Sequence, residues 1–378
     1  MMSRNILLTM AAGLEWSQST PVIDMTHWRT GDEMLQDMVA QQVETAAREF
    51  GFFYVDNHGI PADVAANAEN AMREFFDLPP EVKHQIAADK SRALKTGRGY
   101  AGLHDEQLDV SHNGKPDLKE VLDLGLPLGD STQTYLGPNP WPASMPQLQN
   151  ATEPYLKAAL SLGTELLSVV ARSVGLPNNG FAGIFEEPLV VQRLMRYPAK
   201  NNINTTASEG LGCGAHYDFG GLTLLRQIDA PGLQVQHPAG RSIDSSHVHI
   251  DRAIYSTTQG TFFSDLHNTH SVDWTPVDAH SKLLVVTFGE AMQRLTNGKV
   301  QATRHRVVHS GASARHSMAV FVDPNPYKKV APLPELVGTG PKYSARIAGH
   351  KTVLLATAVA MKQGNLFNNG KYLGFGLV

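Results

Sequence analysis

Residues 212–225 read Gly212-Cys213-Gly214-Ala215-His216-Tyr217-Asp218-Phe219-Gly220-Gly221-Leu222-Thr223-Leu224-Leu225. An imidazole and a carboxylate stand at i and i+2, just ahead of an apolar run suited to a buried strand. In a strand such residues project to one face, so His216 and Asp218 could reach one metal ion. The same spacing recurs at His249-Ile250-Asp251, and among 16 histidines a chance match is expected, so the tripeptide alone decides nothing.

Context separates the two copies. After His216 come Leu222-Thr223-Leu224-Leu225 and then Gly232-Leu233-Gln234-Val235, both strand-like. After His249 comes Asp251-Arg252-Ala253-Ile254-Tyr255, which has no such pattern. Further along stand Gly289-Glu290, Leu295-Thr296-Asn297-Gly298, Ala302-Thr303-Arg304-His305-Arg306-Val307 and Arg315-His316-Ser317. Upstream stand Pro21-Val22-Ile23-Asp24, Glu49-Phe50-Gly51-Phe52-Phe53 and Asn57-His58-Gly59-Ile60-Pro61.

Composition narrows the class. The chain has 378 residues, 42% hydrophobic and 18% charged, enough for a sizeable core. Lys+Arg total 32 against Asp+Glu 36, so the basic footprint of a nucleic-acid binder is missing. With one cysteine, Cys213, neither an internal disulfide nor a thiolate zinc cluster can form. The apolar stretch Ile6-Leu7-Leu8-Thr9-Met10-Ala11-Ala12 has the length of a signal core, but Glu15 and Trp16 follow where small residues are wanted, so an ordinary strand or arm is expected. No apolar run reaches the roughly 18 residues needed to span a bilayer. The expectation is a soluble, cytoplasmic protein.

Periodicity divides the chain. Leu35, Val39, Val43, Ala46 and Phe50 recur at steps of three and four, which predicts a helix from Asp32 to about Phe50. A strand at Phe52-Phe53-Tyr54-Val55 follows, then a second helix over Ala62 to Asp77. Residues 87–146 are rich in Gly, Pro and polar types, with a strand-like piece at Val121-Leu122-Asp123-Leu124. A long helix is predicted from about Met145 to Val174. From Leu189 onward come short apolar and β-branched runs: Leu189 to Tyr197, Leu222 to Gln227, Leu233 to Gln236, Lys282 to Phe288, Thr303 to Val308 and Met318 to Val322. That spacing suggests a barrel or jelly roll.

The ordered set of motifs resembles the isopenicillin N synthase-like family of Fe(II)- and 2-oxoglutarate-dependent dioxygenases, over most of the chain. The resemblance implies an α+β fold with a double-stranded β-helix (jelly-roll) core and flanking N-terminal helices. It implies an N-terminal region at 20–130, a core at 185–330 interrupted by an insertion at 237–273, and a C-terminal segment at 331–378 packed on the core. Matched residue by residue, it implies His216, Asp218 and His305 as iron ligands, two histidines and a carboxylate that leave three coordination positions open. It implies Arg315 and Ser317 as the pair holding the distal carboxylate of 2-oxoglutarate, chemistry suited to a planar guanidinium. Tyr197 joins them as a co-substrate contact.

The implied activity is oxidation of a small amino-acid-like or natural-product substrate by hydroxylation, desaturation or ring closure, with dioxygen consumed and succinate and CO2 released. A 2-oxoglutarate-independent oxidase of the same family, or a metal-free binding protein on the same scaffold, are the rivals. Two departures stand out. His216 and His305 lie farther apart than is usual in the family, which an insertion between Gln236 and Trp274 explains. Met195 stands where the family often has asparagine. Arg193, Met195 and Tyr197 share strand parity, which makes Arg193 a candidate for a substrate or co-substrate carboxylate, with a salt bridge as the alternative. Phe288 and Phe321 are candidates for the substrate wall. The histidines of the insertion (His237, His247, His249, His267 and His270) read as polar loop or lid residues.

Overall fold

The computed structural model describes residues 21–88, 98–108, 116–126, 138–199, 211–236, 274–309, 311–338 and 340–348. The apolar stretch at 6–12, the whole 237–273 insertion with its five histidines, and the last thirty residues of the 331–378 segment lie outside them.

Local chemistry sets the helices. After strand β1 (Val22–Asp24) and the short α1 (Met25–Arg29), helix α2 runs Glu33–Glu49. Asp32 caps it, its Oδ1 accepting from the Leu35 N–H at 3.0 Å and satisfying a donor that has no partner inside the helix. Gly51 follows α2 with φ of 77°, and β2 (Phe52–Asp56) begins at once. Helix α3 spans Ala62–Asp77, as the periodicity predicts, and a single turn, α4 (Pro80–Lys83), follows. The long helix α5 runs Gln147–Ser173 and carries Val39-facing and sheet-facing apolar rows in one buried cluster.

Two sheets enclose the site. The larger joins β1, β2, β10 (Leu284–Phe288), β7 (Leu222–Gln227), β12 (Arg315–Asp323), β5 (Leu189–Tyr197), β4 (Glu120–Gly125) and β3 (Gly99–Ala101) in that order. The smaller joins β6 (Cys213–His216), β11 (His305–Val307), β8 (Leu233–Gln236) and β9 (Trp274–Pro276). Only β1–β2 is parallel among these pairings. A short helix, α6 (Glu290–Leu295), follows β10. The result is the expected α+β arrangement, a jelly-roll core with helices covering one face.

Side-chain alternation assigns each face of the large sheet. Leu222, Leu224, Met318, Val320, Val322, Val190, Leu194, Leu284, Val286 and Phe288 share the main core with α5. The opposite rows face the smaller sheet: Phe52, Tyr54, Val285, Leu233 and Val235 in one cluster, Val121, Met195, Tyr197, Ala319, Cys213 and Val307 in another. This corrects one expectation. Phe288 is fully buried on the helical side, its ring 5.9 Å from that of Phe53, and is a core residue rather than a substrate wall. Phe321 points the other way, half-buried against the inner cluster.

Gly163 lets α5 lie close on the sheet. A Cβ there would sit 2.7 Å from Val322 Cγ2. Alanine would recover about 1 kcal/mol of helix propensity against an overpacking cost of roughly 1–3 kcal/mol. Gly163→Val adds bulk and β-branching, so it is expected to lower unfolding free energy by about 2 kcal/mol or more in urea denaturation. An unchanged midpoint would mean that the interface has slack.

Candidate metal centre

Antiparallel pairing of β6 with β11 sets His305 directly opposite His216. The ring centroids are 4.2 Å apart. Asp218 is not in the strand, as simple alternation assumes, but two residues beyond the end of β6, in a turn. The turn folds back because the start of α6 holds it. The N–H of Glu290 donates to the Asp218 carbonyl at 2.9 Å, and that of Ala291 to those of Phe219 and Gly220 at 3.1 and 3.0 Å. These are N-terminal helix donors that otherwise lack partners. Glycine is required at 220, where a Cβ would fall 1.4 Å from Asp323 Oδ1.

Asp218 Oδ1 thereby lies 3.7 Å from His216 Nε2 and 3.8 Å from His305 Nε2. One ligand atom from each of the three residues lies within 4.8 Å of the others, the metal-capable group found among the described residues. Each imidazole is held in the tautomer that a metal needs. His216 Nδ1 is 2.7 Å from the Gly214 carbonyl and His305 Nδ1 is 2.9 Å from that of Thr303. A carbonyl can only accept, so each Nδ1 carries the proton and each Nε2 presents its lone pair. Asp218 Oδ2 accepts from Thr223 Oγ1 at 2.5 Å, leaving Oδ1 toward the histidines. Burial holds the His216 pKa below the ordinary imidazole value against the pull of Asp218. His305 is lowered by burial and then by His216. Two neutral imidazoles and a carboxylate with open positions beside them fit Fe(II).

Arg315 and Ser317 sit on the inward row of β12, opposite Tyr197 and Met195. Arg315 has no exposed surface. Its Nε donates to the Ala230 carbonyl at 3.1 Å, Nη2 to Gln227 Oε1 at 2.9 Å and Nη1 to Ser317 Oγ at 3.3 Å. The guanidinium carbon lies 4.8 Å from the centre of the Tyr197 ring. Gln227 is oriented by donating to the Val277 and Asp278 carbonyls. Every one of these acceptors is neutral, so among the described residues no carboxylate bonds this buried cation directly, and Asp229, itself bonded to Arg73 and His316, acts on it only at longer range. The Tyr197 hydroxyl donates to Met195 Sδ at 3.4 Å, so the thioether occupies the place where an asparagine amide is common.

Of the two readings of Arg193, the geometry shows the salt bridge. Its Nε and Nη2 make a bidentate pair with Asp123, both at 2.7 Å, and Nη1 and Nη2 reach Glu106 at 3.2 and 3.1 Å. Glu106 continues to Lys119 at 3.2 Å, and Lys119 to Asp117 at 2.8 Å and to Cys213 Sγ at 3.3 Å. Asp117 Oδ1 in turn accepts from the Gly214 N–H at 2.9 Å, whose own carbonyl orients His216. The guanidinium already has two carboxylate partners, so Arg193 is a member of a charge network rather than a free anion receptor. Burial opposes ionisation of Glu106, yet Arg193 and then Lys119 bring its pKa down to about 2. Burial pushes the Cys213 thiol up to about 11, which makes it a packing group and not a ligand. Thr223, Gln227, Glu106, Asp117 and Lys119 were not singled out from sequence. Only Thr223 had a visible signal, its place in Leu222-Thr223-Leu224-Leu225.

Residues 20–144 match the model described as non-haem dioxygenase in morphine synthesis N-terminal, and residues 249–324 match the 2OG-Fe(II) oxygenase superfamily. The second span contains His305, Arg315 and Ser317 but begins beyond His216. The chain is 28% identical over 370 residues to a validamycin A dioxygenase of Streptomyces hygroscopicus subsp. limoneus, covering 95% of this chain and 89% of that one. It is 29% identical over 330 residues to a homoarginine-6-hydroxylase of Arabidopsis thaliana, covering 84% and 88%. A full-length Neurospora crassa structure in complex with alpha-KG superposes with TM-score 0.71 at 23% identity, covering 91% of this chain and 96% of that one. The fold and the site define a non-haem iron oxygenase scaffold. The chain belongs to the Fe(II)/2-oxoglutarate-dependent oxygenase family, isopenicillin N synthase-like, and its cofactors are Fe(II) and 2-oxoglutarate. Among the described residues no helix is long and apolar enough to cross a membrane.

Lys119 and Asp117 are 2% and 3% exposed, so their charges depend on each other. Lys119→Met leaves Asp117 and part of Glu106 buried without a cation and is expected to cost about 3–5 kcal/mol of stability, read by denaturant unfolding. A loss below about 1 kcal/mol would show that water enters the network.

Proposed function

We propose that this chain oxidises a small organic molecule, with His216, Asp218 and His305 holding Fe(II) and with Arg315 and Ser317 holding the distal carboxylate of 2-oxoglutarate. One observation carries the reading: a fully buried arginine with only neutral acceptors lies on the inward row of the larger sheet, facing the smaller sheet that carries His216 and His305 of a preorganised His-Asp-His triad. When bound, iron and 2-oxoglutarate supply an oxidant from dioxygen, with succinate and CO2 as by-products. The names of the validamycin A and homoarginine relatives support a small molecule as the substrate class.

The chain's own contribution is placement. The Gly214 and Thr303 carbonyls fix the imidazole tautomers, and Thr223 aims the carboxylate. Arg315 neutralises an anion in a site from which water is excluded, where the attraction is stronger than at a surface. Tyr197 supports the guanidinium with its ring face, and its hydroxyl is engaged by Met195. Phe321, Ala319, Val121 and Val307 make the surrounding inner surface apolar, which limits side reactions with water.

The direct test is succinate formation that requires Fe(II), 2-oxoglutarate and substrate together; oxygen uptake unaffected by omitting 2-oxoglutarate would favour the 2-oxoglutarate-independent oxidase. Arg315→Gln is expected to raise the KM for 2-oxoglutarate about tenfold or more, through loss of charge-assisted hydrogen bonds. Thr223→Val should weaken Fe(II) binding by about 10–100-fold in an anaerobic titration. Because both imidazole pKa values lie below the ordinary 6.5, protons do not compete at neutral pH. Fe(II) affinity should therefore be level from about pH 8 to 6.5 and fall only under more acidic conditions. A steady decline across the neutral range would contradict that ordering.

A further inference from the structure

The link between β7 and β8, Ile228-Asp229-Ala230-Pro231-Gly232, wraps the guanidinium of Arg315. The Ala230 carbonyl accepts from Arg315 Nε, and a Cβ at 232 would lie 3.1 Å from that same nitrogen. Just past β11, the Val308 N–H fixes the far end of the link by donating to the Gly232 carbonyl at 2.9 Å. Asp229 fixes the near end.

His316, next to Arg315, offers two backbone groups on the β7 side. Its carbonyl accepts from the Ile228 N–H at 3.2 Å, which continues the antiparallel ladder. Its N–H is met not by a β7 carbonyl but by Asp229 Oδ2 at 3.0 Å, and the same oxygen lies 2.6 Å from His316 Nδ1. One carboxylate oxygen thus stands in for the next rung and keeps the N–H paired. The chain is thereby free to leave the sheet at Asp229 and to turn the 230 carbonyl onto Arg315. The other oxygen pairs with Arg73 Nη2 of α3, and Phe76 on the same helix packs its ring 6.5 Å from that of His316. Because Arg73 and His316 occupy Asp229, Arg315 stays open to an incoming anion.

We infer that Asp229 is a positioning residue for the co-substrate. Through the His316 backbone and the Ala230 carbonyl it fixes where the Arg315 guanidinium stands, and Arg73 secures it from the helical layer. The inference rests on the oxygenase reading above, in which Arg315 holds the distal carboxylate of 2-oxoglutarate. A guanidinium displaced by more than about 0.5 Å no longer aligns its N–H groups with a carboxylate. Asp229 bonds to none of His216, Asp218 and His305, so its effect falls on the carboxylate end and not on the metal.

The test is an anaerobic titration of the full chain loaded with Fe(II), read by the visible charge-transfer absorption. Two 2-oxo acids are compared: 2-oxoglutarate, and 2-oxopentanoate, which has a methyl group in place of the distal carboxylate. A parent protein with no such absorption, or with no preference for the dicarboxylate, would refute the oxygenase reading and the inference with it. In Asp229→Ala the preference for 2-oxoglutarate should narrow about tenfold or more, while affinities for 2-oxopentanoate and Fe(II) stay within about twofold of the parent. Asp229→Asn keeps an oxygen for the His316 N–H and should lie between the two. Arg73→Gln, at a more exposed position, should narrow the preference about threefold, and it decides the matter if thermal unfolding shows that Asp229→Ala does not fold. An unchanged preference, or equal weakening of both acids, would overturn the inference.

Discussion

Antiparallel pairing of β6 with β11 is the constraint on which the site depends. It sets His216 across from His305, although a long stretch of chain separates them, and it leaves Asp218 to be brought in by the turn that α6 holds. Backbone hydrogen bonds, rather than side-chain contacts, thus define where an ion would sit. The side chains refine this, with two carbonyls choosing the imidazole tautomers and one threonine choosing the carboxylate oxygen. Such a site is formed before any ligand arrives, so binding energy is not spent on assembling it.

Electrostatics divides the interior into two ends. Around Arg315 the acceptors are neutral and no carboxylate bonds the guanidinium directly, which favours an anion. Around Glu106, Asp117 and Asp123 the three carboxylates are balanced by Arg193, Lys119 and, near Asp123, the buried Arg98. The network has a mechanical consequence as well, since it links β4, β5, the 102–108 loop and the backbone beside His216 through buried ion pairs.

Much of this was legible in the sequence. Step periodicity located α2 and α3 within a residue or so, and strand runs located β5, β7 and β8 at their observed bounds. Parity put Arg193, Met195 and Tyr197 on one face, where they pair with Ala319, Ser317 and Arg315. What parity cannot say is which face is inside. Phe288 alternates as well as Phe321 does, yet its row packs on α5. Nor can it find partners distant in sequence. For Arg193 the sequence leaves a carboxylate receptor and a salt bridge both open, because Glu106 and Asp123 lie in other segments, and the β4–β5 pairing is what brings Asp123 beside it. Asp218 was placed in a strand because the tripeptide fits one, whereas the glycines after it allow a turn.

The choice between the two His-x-Asp copies decides the account, and anaerobic Fe(II) titration of His216→Ala and His249→Ala in the presence of 2-oxoglutarate tests it most directly. One iron per chain with charge-transfer absorption should persist in His249→Ala and vanish in His216→Ala. The reverse pattern, with His216→Ala loading normally and His249→Ala failing, would contradict it.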